Sequence, residues 1–111
     1  MSTGVLDLSS FTSIRAFAAK FTAEHPKLHS AVLNAGVMAC PFSLTADGLE
    51  MQIGTNHFGH FLLTELLMPG LEAAAAESAA TVVVLSSSAH YRSYPDGIKE
   101  SLAAMNDPAS Y

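Results

Sequence analysis

Thr81-Val82-Val83-Val84-Leu85-Ser86-Ser87-Ser88 sets an unbroken β-branched and apolar run directly against three serines. A strand with one wet face alternates apolar and polar residues. An unbroken run of this kind predicts a parallel strand covered on both faces. Working outward, the same grammar recurs twice. Ala31-Val32-Leu33 is followed at once by Asn34-Ala35-Gly36, and Val5-Leu6-Asp7-Leu8 is closed by Ser9-Ser10, which read as the cap of a following helix. Each short apolar segment reads as a strand with polar or small residues at its carboxyl end.

The segments between them carry helical periodicity. Phe11, Ile14, Phe17, Ala18 and Phe21 recur at helical spacing, with Arg15, Lys20 and Glu24 on the other side. Pro26 ends that helix, because the residue before a proline is pushed out of the α region. After a loop with Pro41, Thr45 is the expected N-cap of a long helix, with Asp47 and Glu50 in its first turn. Leu49, Ile53, Asn56, His60, Leu63 and Leu67 then form one stripe, and Pro69-Gly70 is expected to break or kink the helix. The tail beyond Ala89 reads as a loop with one helical turn between Ile98 and Met105. Strand, helix, strand, helix, strand implies a parallel α/β sheet with right-handed crossovers, the Rossmann-like doubly wound class. Ligands of such sheets gather beyond the carboxyl ends of the strands, where Asp7, Asn34 and Ser87 all fall.

Composition narrows the function. The chain has 111 residues, enough for one domain, and half of them are apolar. Five Lys and Arg against ten Asp and Glu give a formal net charge of −5, which repels phosphate backbones and anionic lipid. Neither nucleic acid nor a membrane surface is an expected partner. The most apolar stretch, residues 61–76, is interrupted by Glu65, Pro69, Gly70 and Glu72, so a buried helix is expected there and no membrane segment. Met1 to Gly4 carries no leader-like charge, and Cys40 is the only cysteine. A reducing, cytoplasmic setting is the expectation, leaving open an anchor outside these residues.

Several residues admit both a chemical and a structural reading. Asp7 could accept from an adenine amino group or cap the next helix. Asn34-Ala35-Gly36 could let a flat ligand approach the backbone, or be an ordinary strand-to-loop turn. Asn56 lies on an apolar stripe, where an unpartnered amide costs roughly 1–3 kcal/mol, so it must find partners. Gly54 and Gly59 flank it and thin the helix for a close neighbour, each weakening the helix by roughly 1 kcal/mol relative to alanine. Ser87 could bind a carbonyl oxygen or belong to a plain serine turn. His57 and His60 are three apart, but no third ligand has matching spacing, and no metal is expected.

Taken together these segments resemble the short-chain dehydrogenase/reductases, in the branch of retinol dehydrogenases, WW-domain oxidoreductases and protochlorophyllide reductases. The resemblance rests on LDLSS (residues 6–10), LNAG (33–36), LTADGLEMQIGTNHFGHFLLT (44–64) and VVVLSSSAH (82–90), the third being the most specific. It implies that residues 1–111 are part of one NAD(P)-binding Rossmann domain and comprise the third, fourth and fifth strands of the fold. It further implies that Asp7 and Leu8 lie at the adenine of NADP or NAD, and that Asn34, Ala35 and Gly36 line the adenosine ribose. Asn56 corresponds to the asparagine that holds a water in the proton relay, and Ser87 to the hydroxyl that orients the substrate carbonyl. The implied reaction interconverts an alcohol and a carbonyl on an apolar, retinol-like substrate.

Two departures qualify this. No glycine-rich phosphate loop precedes Val5. The family's Tyr-x-x-x-Lys pair is also lacking: Tyr91 and Tyr94 have Pro95 and Ile98 four residues on, and Tyr111 is last. The expectation is an internal fragment, inactive as an isolated chain. Other readings are a non-catalytic binding or dimerisation remnant, with homo-oligomers formed through the long helix, or protochlorophyllide reductase-like chemistry. In the strand order 3-2-1-4-5-6 the first two strands separate the third from the fourth. Without them, Val5-Leu6-Asp7-Leu8 is expected to pair non-natively or stay loose, and bare strand edges to favour aggregation.

Overall fold

Ser10 starts the first helix as the sequence anticipates. Its backbone is extended and its hydroxyl oxygen accepts from Ser13 N at 3.3 Å, opening α1 (Phe11–Glu24). A second anchor comes from far along the chain, where Asp47 Oδ2 accepts from Phe11 N at 2.8 Å. Helix α1 ends at His25, one residue before Pro26. Phe17 and Phe21, one turn apart, stack with ring centroids 5.8 Å from each other. The computed structural model describes residues 3–92, 95 and 97–110, so Tyr94 and Tyr111 lie outside the described residues.

The sheet has two parallel strands, β1 (Ser30–Leu33) and β2 (Thr81–Val84), with Ser30 opposite Thr81 and Leu33 opposite Val84. Bonds from Thr81 N to His29 O (2.9 Å) and Leu85 N to Leu33 O (3.2 Å) extend the ladder at both ends. Leu33 is buried in one cluster with Leu8, Ile14, Ala18, Leu63 and Leu67, so both long helices cover the same face of β1. Crossovers of one hand that step in one direction put their helices on one side. The opposite face is open, and Val32 is 63% exposed. This corrects the expectation that Thr81-Val82-Val83-Val84-Leu85 is covered on both faces: the strand is parallel, yet every residue of β2 is exposed. Residues 5–8 form no ladder, and Val5 is 91% exposed. Of the two fates expected for this segment, the loose one is observed. Only its end is held, by Leu8 in the core.

The long helical region departs from the sequence reading in three ways. Thr45 is not its cap. Gly48 has a φ of 77°, and this turn lets Thr45 N bond Leu49 O at 2.7 Å while Thr45 Oγ1 accepts from Leu49 N at 3.2 Å. The helix opens later, at α2 (Met51–Ile53), where the Glu50 carboxylate accepts from Gln52 N (2.8 Å) and Ile53 N (2.9 Å). Next, a π-helical turn (Gly54–Gly59) precedes α3 (His60–Ala75). Finally, Pro69 lies inside α3 without ending it. The proline costs one internal bond, but the burial of Leu67, Leu71 and Ala74 on either side holds the helix together. Gly70 O in turn accepts from Leu28 N at 2.9 Å, tying the helix to the chain that enters β1.

Both glycines that flank Asn56 make close approaches. A Cβ on Gly59 would stand 2.4 Å from Leu8 O, and one on Gly54 would stand 2.5 Å from Thr45 Cγ2. Beyond β2 comes a 3-10 turn (Ser88–Arg92), and the short α4 (Leu102–Met105) is the helical turn expected between Ile98 and Met105. Asn106 fastens that tail to the start of the long helical region: Glu50 N donates to its Oδ1 and its Nδ2 donates to Gly48 O, both at 2.7 Å.

Candidate functional site

The carboxyl ends of β1 and β2 open into a cavity of about 290 Å³. Asn34, Ala35 and Gly36 line one side, continuing from β1, and Leu85, Ser86 and Ser87 line the other, continuing from β2. Asn56 and His60 project from the helical region between them. The structure therefore brings together five of the seven residues singled out in the sequence: Asn34, Ala35, Gly36, Asn56 and Ser87. All five are exposed, so the cavity faces solvent directly.

Asn56 secures the turn that follows β1. Val37 N donates to Asn56 Oδ1 at 2.9 Å, and Asn56 Nδ2 donates to Val37 O at 2.7 Å. One side-chain amide thus satisfies both backbone groups of Val37. A Cβ on Gly36 would meet Asn56 Oδ1 at 3.0 Å, tighter than ordinary contact, so glycine lets the turn lie this close. The sequence placed Asn56 in the middle of an apolar stripe, whereas the structure exposes it while His60, Leu63 and Leu67 stay buried. The π turn explains the difference, because its i→i+5 pattern inserts a residue and rotates Asn56 off the core face.

Ser87 Oγ accepts from Ala89 N at 3.1 Å. Its hydroxyl oxygen caps the 3-10 turn, leaving the hydroxyl proton to be donated into the cavity. Ser87 O meets His90 N at 3.3 Å and His90 Nδ1 at 2.6 Å, which fixes the backbone behind the hydroxyl.

Asp7 and Leu8 are not among the residues that line this cavity. Asp7 Oδ1 accepts from Ser9 N at 2.9 Å and Ser9 Oγ at 2.7 Å. These two bonds, the hydroxyl's foremost, hold the Asp7 carboxyl below the ordinary aspartate range. Leu8 is buried, with its carbonyl under Gly59.

Sequence reasoning passed over Gln52, whose Oε1 accepts from Ala39 N at 3.1 Å in a left-handed turn (φ 52°). It weighed His60 only as a stripe residue and, with His57, as a metal ligand that was not expected. The signal was present: Gln52, Asn56, His60 and Thr64 recur every four residues. Each one bonds the backbone of the β1 loop or of the preceding helical turn. A second cavity of about 250 Å³ shares Asn56 and His60 with the first and is walled by Leu33, Phe61 and Val84. Among the described residues no cluster of His, Cys, Asp or Glu could hold a metal ion, and no helix is long and apolar enough to cross a membrane.

The comparisons with known proteins agree on one family. The family model described as short chain dehydrogenase matches residues 2–99. The chain is 47% identical over 108 residues to short-chain dehydrogenase TIC 32 A, chloroplastic, of Brassica napus, covering 96% of this chain and 33% of that protein. It is 56% identical over 86 residues to retinol dehydrogenase 11 of Homo sapiens, covering 78% of this chain and 26% of the relative. The crystal structure of an uncharacterized protein from Mycobacterium paratuberculosis superposes with a TM-score of 0.64 at 43% identity, over 80% of this chain and 29% of that one. The chain thus spans between a quarter and a third of the curated relatives it matches. The α/β architecture, its parallel strands and these similarities have one source: the chain belongs to the short-chain dehydrogenase family, in its retinol dehydrogenase-like branch.

Proposed function

We propose that residues 1–111 form part of an NAD(P)-binding Rossmann domain of an enzyme that interconverts an alcohol and a carbonyl on an apolar, retinol-like substrate. One observation carries this reading: Asn34-Ala35-Gly36, Asn56 and Ser87 line a single cavity at the carboxyl ends of two parallel strands. That is where doubly wound sheets bind nucleotides. The similarity to proteins named retinol dehydrogenase supports the substrate class.

The residues present fit part of a nicotinamide dinucleotide. At about 290 Å³ the cavity lies at the lower edge of the roughly 300–1,000 Å³ typical of small-molecule sites. A ring-sized moiety would fit this volume, and the small Ala35 and Gly36 leave backbone accessible to a flat group. Asn34, Ala35 and Gly36 would hold a ribose, with Asp7 and Leu8 further along the adenine side. When bound, the cofactor supplies or accepts the hydride. Ser87 donates its free hydroxyl proton to the substrate oxygen and orients the carbonyl. Asn56, its side chain committed to Val37, offers its backbone carbonyl to a relay water. Proton transfer itself needs an acid/base such as the family's tyrosine, and Tyr-x-x-x-Lys occurs nowhere in these residues. Losing such a group typically costs about a hundredfold or more in rate, so binding is the property to test on this chain.

The test is a titration of the 15N-labelled chain with NADP+ and separately with NAD+. Amide shifts concentrated at Asn34, Ala35, Gly36, Ser86 and Ser87, and lost in Gly36→Val, are expected. Uniform or absent shifts with both nucleotides would overturn the assignment.

A further inference from the structure

His60 is a buried titratable group with no part in the chemistry above, yet it borders both cavities. It is 7% exposed, and it is shared with Asn56 between the nucleotide-sized cavity and its apolar neighbour. Its backbone and its ring have exchanged their usual duties. In an α-helix the N–H of residue 60 would bond the carbonyl of residue 56, four back. Here His60 N bonds His57 O instead, as the π turn closes. The Asn56 carbonyl is met by the His60 ring, whose Nδ1 lies 3.1 Å away. A carbonyl oxygen can only accept, so Nδ1 carries a proton, and in the uncharged form of the ring Nε2 is then an acceptor. Thr64 Oγ1 donates to His60 O at 2.8 Å, adding a side-chain bond to the turn that carries the ring.

We propose that His60 is a positioning residue: the π turn locks it as the Nδ1–H tautomer, so that it aims the Asn56 carbonyl and presents Nε2 as an acceptor to a donor group of the bound nucleotide. The first half follows from the bond to Asn56 O. The second rests on the cofactor reading above, and on two features of the site. Among the described residues the His60 ring bonds Asn56 O alone, and its cavity is also lined by Asn34, Ser86 and Ser87, which suit a ligand rich in hydroxyl and amide groups. The ligand class that matches an imidazole acceptor here is a ribose hydroxyl or a carboxamide N–H, both of which NAD and NADP carry.

Long-range 1H–15N spectra of the imidazoles in the labelled 111-residue chain test this, with the His60 signals assigned by their disappearance in His60→Gln. The expected pattern is a pyrrole-type Nδ1 and a pyridine-type Nε2 at neutral pH. Adding NADP+ or NAD+ then moves Nε2 in the hydrogen-bonded direction and leaves Nδ1 in place. His60→Asn, which keeps an N–H near the Nδ1 position, retains the wild-type 13C shift of the Asn56 carbonyl, and His60→Gln does not. A purely structural histidine would show the stability effects without the nucleotide-dependent Nε2 shift. An Nε2–H tautomer or a doubly protonated ring overturns the proposal outright. Nucleotide-induced amide shifts at Asn34, Ala35 and Gly36 with an unmoved Nε2 overturn it while the cofactor reading stands. If the tautomer is confirmed but neither the amides nor Nε2 respond, the cofactor reading has failed, and the acceptor half of this proposal fails with it.

Discussion

Asn56 was singled out in the sequence because an amide on an apolar stripe must be partnered, and the structure shows the partner to be both backbone groups of Val37. Truncation to alanine removes two hydrogen bonds, each worth about 0.5–1.5 kcal/mol net. Asn56→Ala should therefore lower unfolding free energy by about 1–3 kcal/mol, read from the urea midpoint. Asn56→Asp keeps the acceptor for Val37 N but turns a carboxylate oxygen toward Val37 O, so it should rescue little. Asp7 offers a test by titration. Its carboxyl is lowered by Ser9, so folding favours the ionised form. The stabilisation is present above the ordinary aspartate pKa and is lost as pH falls through the lower folded value. Because Asp7 is exposed the effect on stability is small, and the pKa itself is the better readout. Ser9→Ala should move the carboxyl upward toward its ordinary value in a 13C shift titration. An unmoved midpoint would show that the Ser9 hydroxyl is not its cause.

At the level of elements, the sequence predicted both strands of the sheet and the first helix, because each obeys a local rule: a β-branched run, a serine cap, a stop before proline. The start of the long helix was not legible in the same way. Thr45 and Glu50 both look like helix-start residues, and the choice between them depends on a left-handed turn at Gly48 and on the Leu44–Glu50 bridge, neither of which helical periodicity registers. Glu50→Ala should therefore cost about 0.5–2 kcal/mol, the range for losing a cap, whereas a threonine that caps no helix predicts less for Thr45→Ala. The π turn was equally hidden, since Gly54 and Gly59 announce closeness without saying to what. Gly59→Ala puts a methyl 2.4 Å from Leu8 O, and backbone cannot yield as a side-chain tip can. A loss of about 1–3 kcal/mol is expected from such overpacking, and thermal unfolding would show it. A Gly59→Ala chain as stable as wild type would mean that residue 8 does not pack against the turn.

For the whole molecule, the unresolved tension is between charge and bare sheet. Two strands alone are a marginal sheet in water, and here each strand has an unpaired edge. The face away from the helices is apolar, with Val32 and Leu85 each more than 60% exposed, and on the helix side Val84, opposite Leu33, is 65% exposed as well. No charged residue lies in either strand to discourage edge pairing. The one opposing influence is the net charge of −5, which repels second copies over about a Debye length, roughly 10 Å at 0.1 M salt. Self-association should therefore strengthen as salt rises, the reverse of an interface built on ion pairs. Val84→Lys places a charge beside the β2 edge at a position already facing water, where surface substitutions change stability by no more than about 0.5 kcal/mol. Sedimentation velocity at increasing protein and salt concentration should show wild-type oligomers that Val84→Lys suppresses without a change in melting temperature. Phe61→Lys, on the exposed side of α3, should leave them in place. If Phe61→Lys is the variant that dissolves them, association runs through the long helix and the bare strand edge is not its cause.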